Sequence, residues 1–370
     1  MGSAPLKHSP LHSFHLEARA KMADFGGWEM PIEYPADSGG GVISEHTAVR
    51  ERVGLFDVSH LGKAKVRGAG TLEFLNPALT NDLTKINNGQ AQYTMLCDGE
   101  TGGVVDDLIA YRKSADEFLL IPNAANTAEV VKRLADSAPA GVSVTNEHMS
   151  YGVLALQGPL AKDVLKTLGY ETELSYMAFS NGVIAGKNVI VCRTGYTGES
   201  GFEILPMWSD ALEVWNVIYC EVKRVGGLVA GLGARDTLRT EMGYPLHGHE
   251  LSMEITPVQA GANWAVGWNK SDFWGKKILE EEKRNGAHRI LRGLALTERG
   301  IPRAGMPVFS GEDLIGETTS GTFSPTLKVG IALALLTPKV DVGASVSIDV
   351  RGKRVAAEVI KPPFVPSRVR

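Results

Sequence analysis

The sequence is poor in cysteine, has no excess of basic residues and contains no long hydrophobic run. Its three cysteines are too few and too irregularly spaced for a disulfide framework, which predicts free thiols in a reducing compartment. A formal net charge of −4 gives no basic surface for nucleic acid. The first twenty residues lack the apolar core of a signal peptide, and no later run reaches membrane-spanning length. We therefore expect a cytoplasmic protein with neither a nucleic-acid nor a membrane partner.

Nucleotide-binding motifs are also missing. Gly231-Leu232-Gly233 lacks the third glycine of a dinucleotide fingerprint at the required spacing. Residues 182–188 are one residue too short for a phosphate-binding loop and lack its Ser or Thr. The sequence therefore does not indicate a nicotinamide, a flavin or a nucleoside triphosphate.

Two histidines, His247 and His249, stand two residues apart beside a glycine. Such a pair could hold a metal ion, but no third ligand with a matching spacing accompanies it. We predict no metal site here, and the sequence leaves the role of both histidines open.

The 370 residues are enough for two or three domains. Strand-like runs alternate with helical periodicity, as at 42–53 and 126–137, which predicts an α+β fold with antiparallel sheets. From residue 286 onward, short strands separated by glycine and proline predict a small all-β domain, either a barrel or a sandwich. The predicted strands of this last part are 290–297, 306–309, 314–318, 329–336, 345–350 and 354–360.

An acidic pair stands inside an apolar strand at residues 99–112. Asp106 and Asp107 follow the turn residues Gly102-Gly103 and are flanked by β-branched residues. Successive strand side chains point to opposite faces, so only one of the two carboxylates can line a pocket on a given face. A strand end, with one aspartate solvated and the other capping a turn, explains most such pairs. A carboxylate that faces a core must instead be paired, hydrogen-bonded or used in chemistry.

A second cluster, residues 193–204, lowers the weight of that simple explanation. Three glycines surround Tyr196, and Glu203 lies between Phe202 and Ile204 in a strand-like setting. Asp107, Glu203 and Arg235, with Tyr93, Tyr111 and Tyr196, could together bind a flat heterocycle that has an amino-pyrimidinone edge. A carboxylate accepts paired hydrogen bonds from a ring N–H and an exocyclic amine, and the aromatic rings supply the faces. The sequence alone does not prove that these groups converge.

Several stretches, in order along nearly the whole chain, resemble the aminomethyltransferase (T-protein) family of the glycine cleavage system. They are Phe56-Asp57-Val58-Ser59-His60, Gly102-Gly103-Val104-Val105-Asp106-Asp107, Leu154-Ala155-Leu156-Gln157-Gly158-Pro159, 193–203, 231–239 and Thr319-Ser320-Gly321-Thr322-Phe323-Ser324-Pro325. A match of this extent is far more specific than any single motif.

The resemblance implies a three-domain, clover-like arrangement. Residues 1–285 would form the folate-binding catalytic region from two interleaved α+β domains, and residues 286–370 a C-terminal β-barrel. The implied reaction moves the one-carbon unit of an aminomethyl group, carried on the lipoyl arm of the H-protein, to tetrahydrofolate. Its products are ammonia, the reduced lipoyl arm and 5,10-methylenetetrahydrofolate, and no metal takes part.

The resemblance also implies roles for residues at matching positions. Asp107 would be the essential carboxylate beside the reacting folate nitrogens, and Glu203 would hold the amino-pyrimidinone edge of the pterin. Arg235 would complete the polar rim and Tyr196 the wall. Leu61 stands where the family usually has Met, and the carboxyl end lacks a tyrosine that some members have, which puts any contact of that tyrosine to the folate tail in doubt.

Two alternatives are considered. A folate-dependent demethylase on the same scaffold would take a methyl group from a small sulfonium or amine. A non-catalytic folate-binding protein of iron–sulfur cluster maturation would carry Lys-Gly-Cys-Tyr-x-Gly-Gln-Glu, whereas this chain has Arg193-Thr194-Gly195-Tyr196-Thr197-Gly198-Glu199. That difference argues strongly against the second alternative.

Overall fold

The computed structural model describes residues 5–370 and contains eight α-helices and twenty β-strands in that part of the chain. The helices are α1 His12–Glu17, α2 Val42–Glu51, α3 Thr71–Ala78, α4 Thr127–Ser137, α5 Ala161–Thr167, α6 Ala211–Arg224, α7 Leu232–Met242 and α8 Lys276–Asn285. The first fourteen strands are β1 Lys7–His8, β2 Lys21–Phe25, β3 Trp28–Glu33, β4 Gly54–Asp57, β5 Ala64–Arg67, β6 Gln90–Cys97, β7 Val104–Ser114, β8 Glu117–Ile121, β9 Ser143–Asn146, β10 Leu154–Gln157, β11 Phe179–Ile184, β12 Lys187–Cys192, β13 Gly201–Pro206 and β14 Leu228–Val229. The last six are β15 Ile290–Leu296, β16 Pro307–Ser310, β17 Asp313–Ser324, β18 Val329–Leu336, β19 Ser345–Val350 and β20 Lys353–Ile360.

Two larger sheets form the body of the molecule before the barrel. One is antiparallel, with the order β6-β7-β8-β5-β9, and packs against α3 and α4 over a core that includes Leu75, Phe118 and Leu134. The other has the order β11-β12-β13-β10-β4-β14 and is antiparallel except for its β4–β14 edge. A third core joins the two sheets and α7, with Tyr111 and Leu238 among its members.

The C-terminal strands close into a barrel in the order β15-β18-β17-β16-β19-β20, with β15 paired to β20. The predicted fold class, α+β with antiparallel sheets and a C-terminal β-barrel, is confirmed. Helix α8 ends at Asn285 and β15 begins at Ile290, so the domain boundary predicted at 285/286 falls in the connection between them. Within residues 5–370, no helix is both long and apolar enough to cross a membrane.

Two elements differ from the sequence-based expectation. The alternation of residues 55–60 predicts a strand through His60, but β4 ends at Asp57, because the Asp57 carboxylate accepts the Ser59 backbone N–H at 2.9 Å and turns the chain. Strand β17 continues six residues beyond the predicted end at Thr318 and reaches Ser324, since it pairs with both β16 and β18 through an irregularity near Ser320.

Candidate active site

One cavity, with a volume of about 540 Å³, opens among both sheets, α7 and the loop that follows α7. Five of the six predicted site residues line it, namely Tyr93, Asp107, Tyr196, Glu203 and Arg235. Asp107 and Glu203, which are 96 positions apart in the sequence, therefore face one common space. The sixth residue, Tyr111, lies outside the lining.

Strand β7 separates the two adjacent aspartates as strand geometry requires. Asp106 is fully buried, whereas Asp107 points into the cavity. The Asp107 carboxylate accepts the Tyr93 hydroxyl at 3.0 Å and the Asn123 side-chain amide at 2.9 Å. Burial raises the pKa of Asp107, while the charge of His247 and these hydrogen bonds act in the opposite direction. The net effect is a raised pKa, so the protonated form of Asp107 is favoured more than in an ordinary exposed carboxyl group.

Behind Asp107, Asp106 is held by asparagines from the loop before α4. It accepts the Asn123 backbone N–H at 2.9 Å, the Asn123 side-chain amide at 2.9 Å and the Asn126 side-chain amide at 2.7 Å. Burial raises the pKa of Asp106, and the neighbouring charge of Asp107 raises it further. Asn123 thus contacts both carboxyl groups and fixes their relative position.

On the opposite wall, β13 carries Glu203 with its carboxylate toward the cavity. The Thr194 hydroxyl donates a hydrogen bond to that carboxylate. The Tyr111 hydroxyl lies 3.1 Å from the Thr194 hydroxyl, so Tyr111 contacts Glu203 only through Thr194. The ring of Tyr111 packs edge-on against Phe179 in the core between the sheets, with centroids 5.4 Å apart. Tyr111 therefore supports the wall and does not form part of its surface.

Helix α7 brings Arg235 to the cavity. Its guanidinium carbon lies 4.6 Å from the centroid of the Tyr196 ring, a cation–π distance. Tyr196 in turn stacks on Tyr244 at 5.7 Å and donates its hydroxyl to the Pro245 carbonyl. In the described part of the chain, no ion pair or side-chain hydrogen bond holds the Arg235 guanidinium, and Tyr196 and Glu203 act on it through charge alone. Its donors are therefore available to a molecule that enters the cavity.

Three histidines also line the cavity. His60 is buried in the wall, where burial and then the charge of Arg235 lower its pKa to about 3. Its imidazole is therefore neutral at pH 7. His247 and His249 also line the cavity, and each donates one ring N–H to a backbone carbonyl, of Val104 at 3.0 Å and of Thr319 at 2.8 Å.

At the rim, Trp264 stacks on Tyr93 with ring centroids 5.1 Å apart and an interplanar angle of 25°. Trp264 is 68% exposed, which is unusual for the largest apolar side chain. The pair gives a ligand in the cavity an aromatic surface that continues toward solvent.

Sequence reasoning missed several lining residues. Besides Trp264 and the histidines, the lining contains Asn81, Asn123, Asn126, Tyr176 and Tyr244. The Asn-Ala-Ala-Asn run at 123–126 was the available signal, because it follows a strand directly. Asn126 occupies the N-cap position of α4, but its side chain donates to Asp106 instead of capping the helix.

Comparisons with known proteins agree with this geometry. Residues 11–270 match the family model described as the GCVT N-terminal domain, and residues 289–366 match the glycine cleavage T-protein C-terminal barrel domain. An aminomethyltransferase of Parafrankia sp. (strain EAN1pec) is 58% identical over 367 residues, which are 99% of this chain and 99% of that protein. One from Mycobacterium avium (strain 104) is 54% identical over 369 residues, again with 99% of both chains covered.

A solved structure gives the same result. The crystal structure of glycine cleavage system aminomethyltransferase T from Bartonella henselae superimposes with a TM-score of 0.90 at 35% identity, covering 98% of this chain and 99% of that chain. These matches extend over both the α+β region and the barrel. The chain therefore belongs to the aminomethyltransferase family, the T-proteins of the glycine cleavage system.

Proposed function

We propose that this enzyme transfers the one-carbon unit of an aminomethyl group from the dihydrolipoyl arm of the H-protein to tetrahydrofolate. The observation that supports the proposal most is the shared cavity, with Asp107 on one wall and Glu203 and Arg235 on others. Its carboxylate and cationic groups, with the tyrosines between them, suit a flat reduced pterin with an amino-pyrimidinone edge.

In the proposed reaction, N5 of tetrahydrofolate attacks the methylene carbon of the aminomethyl thioether. The carbon–sulfur and carbon–nitrogen bonds break as the bonds to N5 and N10 form. The two N–H hydrogens of tetrahydrofolate end on the thiol and on ammonia, which leaves 5,10-methylenetetrahydrofolate. These steps use no metal ion. The lipoyl group belongs to the H-protein, and the proposed location is the cytoplasm.

Asp107 has two tasks in this scheme. Held by Tyr93 and Asn123, its carboxyl group orients the folate and assists proton movement as N5 attacks. Joining two bound reactants recovers roughly 7–11 kcal/mol of barrier, whereas one acid–base group contributes about 10²–10⁴-fold in rate. Positioning is therefore the larger share of the rate enhancement. Glu203 accepts donors from the pterin edge, and Arg235 completes the polar rim.

The decisive experiment combines Asp107→Asn with the natural substrates. Asparagine keeps the size of the side chain but cannot take up a proton, so tetrahydrofolate affinity should stay near that of wild type while turnover falls by about 10²–10⁴-fold. Ammonia and methylenetetrahydrofolate are measured together with aminomethyl-loaded H-protein.

Glu298→Gln, a change of an exposed carboxylate outside the cavity, serves as the control. Wild-type turnover in Asp107→Asn would refute the assigned role. Activity with a small sulfonium or methylamine, and none with loaded H-protein, would favour the demethylase alternative instead.

A further inference from the structure

Three side chains that commonly ligate metals meet on the small sheet β1-β3-β2, and none of them lines the cavity. His8 lies on β1, His12 is the first residue of α1, and Glu29 lies on β3. β1 and β3 run parallel, with His8 directly beside Glu29 in the register, so both side chains leave the same face of the sheet. The chain then returns over this face and brings His12 to the same point.

The separations between these groups do not fit hydrogen bonds. One Glu29 carboxylate oxygen, Oε2, lies 3.4 Å from His8 Nε2 and 3.6 Å from His12 Nε2. Both distances exceed the usual range for an N–H···O hydrogen bond, which ends near about 3.2 Å. Tetrahedral zinc, with bonds of about 2.0–2.1 Å, holds its ligand atoms about 3.4 Å apart. The ligand atoms of all three residues lie within 4.8 Å of one another.

The site is open to solvent, and the positive charge next to His8 on β1, that of Lys7, faces away from it. The side chains of His8, Glu29 and His12 are 54%, 34% and 19% exposed. Lys7, the neighbour of His8, points to the other face, with its ammonium 5.6 Å from the Trp28 ring centroid. The two imidazoles now stack in parallel, with centroids 3.8 Å apart. Convergence of both Nε2 lone pairs on one ion requires the exposed His8 ring to rotate about its terminal torsion, which is a soft degree of freedom.

We propose that His8, His12 and Glu29 bind one zinc-class divalent cation, with water in the fourth position. Two imidazoles and one carboxylate form a ligand set that zinc accepts. The ion would connect β1, the start of α1 and β3. Within residues 5–370, the pairing of β1 with β3 covers just two register positions. The role of the ion is to fix the amino-terminal segment to the body of the protein, separately from the chemistry in the cavity.

The test is a titration of chelator-treated, tag-free protein with Zn²⁺ in a calorimeter, and with Co²⁺ followed by visible absorption. We expect one ion per chain and a tetrahedral cobalt spectrum. Removing a metal ligand should lower Zn²⁺ affinity at least as much as removing a group that only orients a ligand. His8→Gln and Glu29→Gln should therefore each weaken Zn²⁺ binding by roughly tenfold or more. Saturating Zn²⁺ should also raise the melting temperature of wild type, and raise it less in the two variants.

His288→Gln is the matched control, because His288 is an exposed histidine outside the cluster. This variant should bind Zn²⁺ as wild type does. Absence of stoichiometric binding to wild type would overturn the proposal. Binding that persists unchanged in both His8→Gln and Glu29→Gln would also overturn it, since the ion would then lie elsewhere on the chain.

Discussion

At the scale of single residues, the site depends on which side chains already have protein partners and which do not. Asp107 is held from two sides, and Glu203 from one by Thr194. Arg235, by contrast, has only the face of Tyr196. A substitution that removes one of these hydrogen-bonded carboxylates therefore also leaves its protein partners without an acceptor. A substitution at Arg235, by contrast, mainly changes the contacts to a bound molecule.

Glu203→Gln should weaken tetrahydrofolate binding by about 10–100-fold, because hydrogen bonds to a charged acceptor contribute about 1.5–3 kcal/mol. The glutamine amide can accept at only one of its two positions, so the paired contact with the pterin edge is lost. Equilibrium binding of tetrahydrofolate measures the effect. Unchanged affinity, with Glu298→Gln as the reference, would count against this placement of the pterin.

Arg235→Lys should lower tetrahydrofolate affinity by roughly tenfold with little change in melting temperature. Lysine keeps the charge but lacks the planar fork and the stacking face of the guanidinium. Titration and thermal unfolding of the same preparation separate the two effects. A large fall in melting temperature with normal affinity would show that Arg235 is structural.

At the scale of elements, α7 is important because it carries Arg235 and is joined to α2 and the barrel by buried ionic contacts. Glu241 of α7 accepts hydrogen bonds from Arg50 at 2.8 Å and from Ser324 and Thr326 of the barrel, and lies 3.3 Å from His46. Burial alone would raise the pKa of Glu241, but His46, Ser324 and Arg50 together lower it to about 2. The ionised carboxylate is thus a stabilising group of the folded state.

The lowered pKa of Glu241 determines how the stability of the protein depends on pH. A folded-state pKa below the ordinary value of 4.5 stabilises the protein above pH 4.5, and the contribution is lost as pH falls toward about 2. Urea unfolding of wild type at neutral pH and at about pH 3 should therefore show a loss of stability that is smaller in Glu241→Gln. Glu298→Gln should keep the wild-type difference. If Glu241→Gln lost as much stability between the two pH values as wild type, the Glu241 carboxylate would not contribute to the acid sensitivity of the protein.

The elements were also the part that the sequence predicted best. Local periodicity predicts β7, α4 and the barrel strands, because side-chain alternation and glycine–proline turns are short-range properties. Asp107 and Tyr111 are four residues apart on β7, so side-chain alternation places them on the same face of the strand. Tyr111, however, lies four residues further along, about 13 Å away, where the two sheets close on each other.

Contacts between distant segments could not be predicted in this way. Asn123 reaches the aspartates by a loop connection, and Glu29 joins the two amino-terminal histidines through the parallel pairing of β1 and β3. Neither contact has a fixed spacing in the sequence. Only His247 and His249 suggested a metal site from the sequence, although His8 and His12 also stand at a spacing that zinc ligands use.

At the scale of the whole molecule, the barrel is bound to the α+β region by buried charge as well as by apolar packing. Arg239 of α7 pairs with Glu250 at 2.9 Å and donates to Ser320 of β17 at 2.7 Å, while Glu250 also accepts the Thr319 hydroxyl. Separating the barrel would break the hydrogen bonds of Ser320 and Thr319 to this ion pair, and hydrogen bonds to charged groups contribute about 1.5–3 kcal/mol each.

We therefore expect wild type to unfold in a single calorimetric transition. Glu250→Gln combined with Glu241→Gln should weaken the contact and broaden or split that transition, because the two regions would no longer unfold together. Differential scanning calorimetry measures the outcome. Two resolved transitions in wild type would show that the barrel unfolds independently.

The stacked pair of Trp264 and Tyr93 gives the chain an optical reporter of its own. An indole that is exposed to water emits at long wavelength, and a pterin beside it accepts its excitation energy. If folate binds in the cavity as proposed, fluorescence of the unlabelled protein should therefore follow its entry and departure in real time, with Trp264→Phe identifying the contribution of this one tryptophan among the six in the chain.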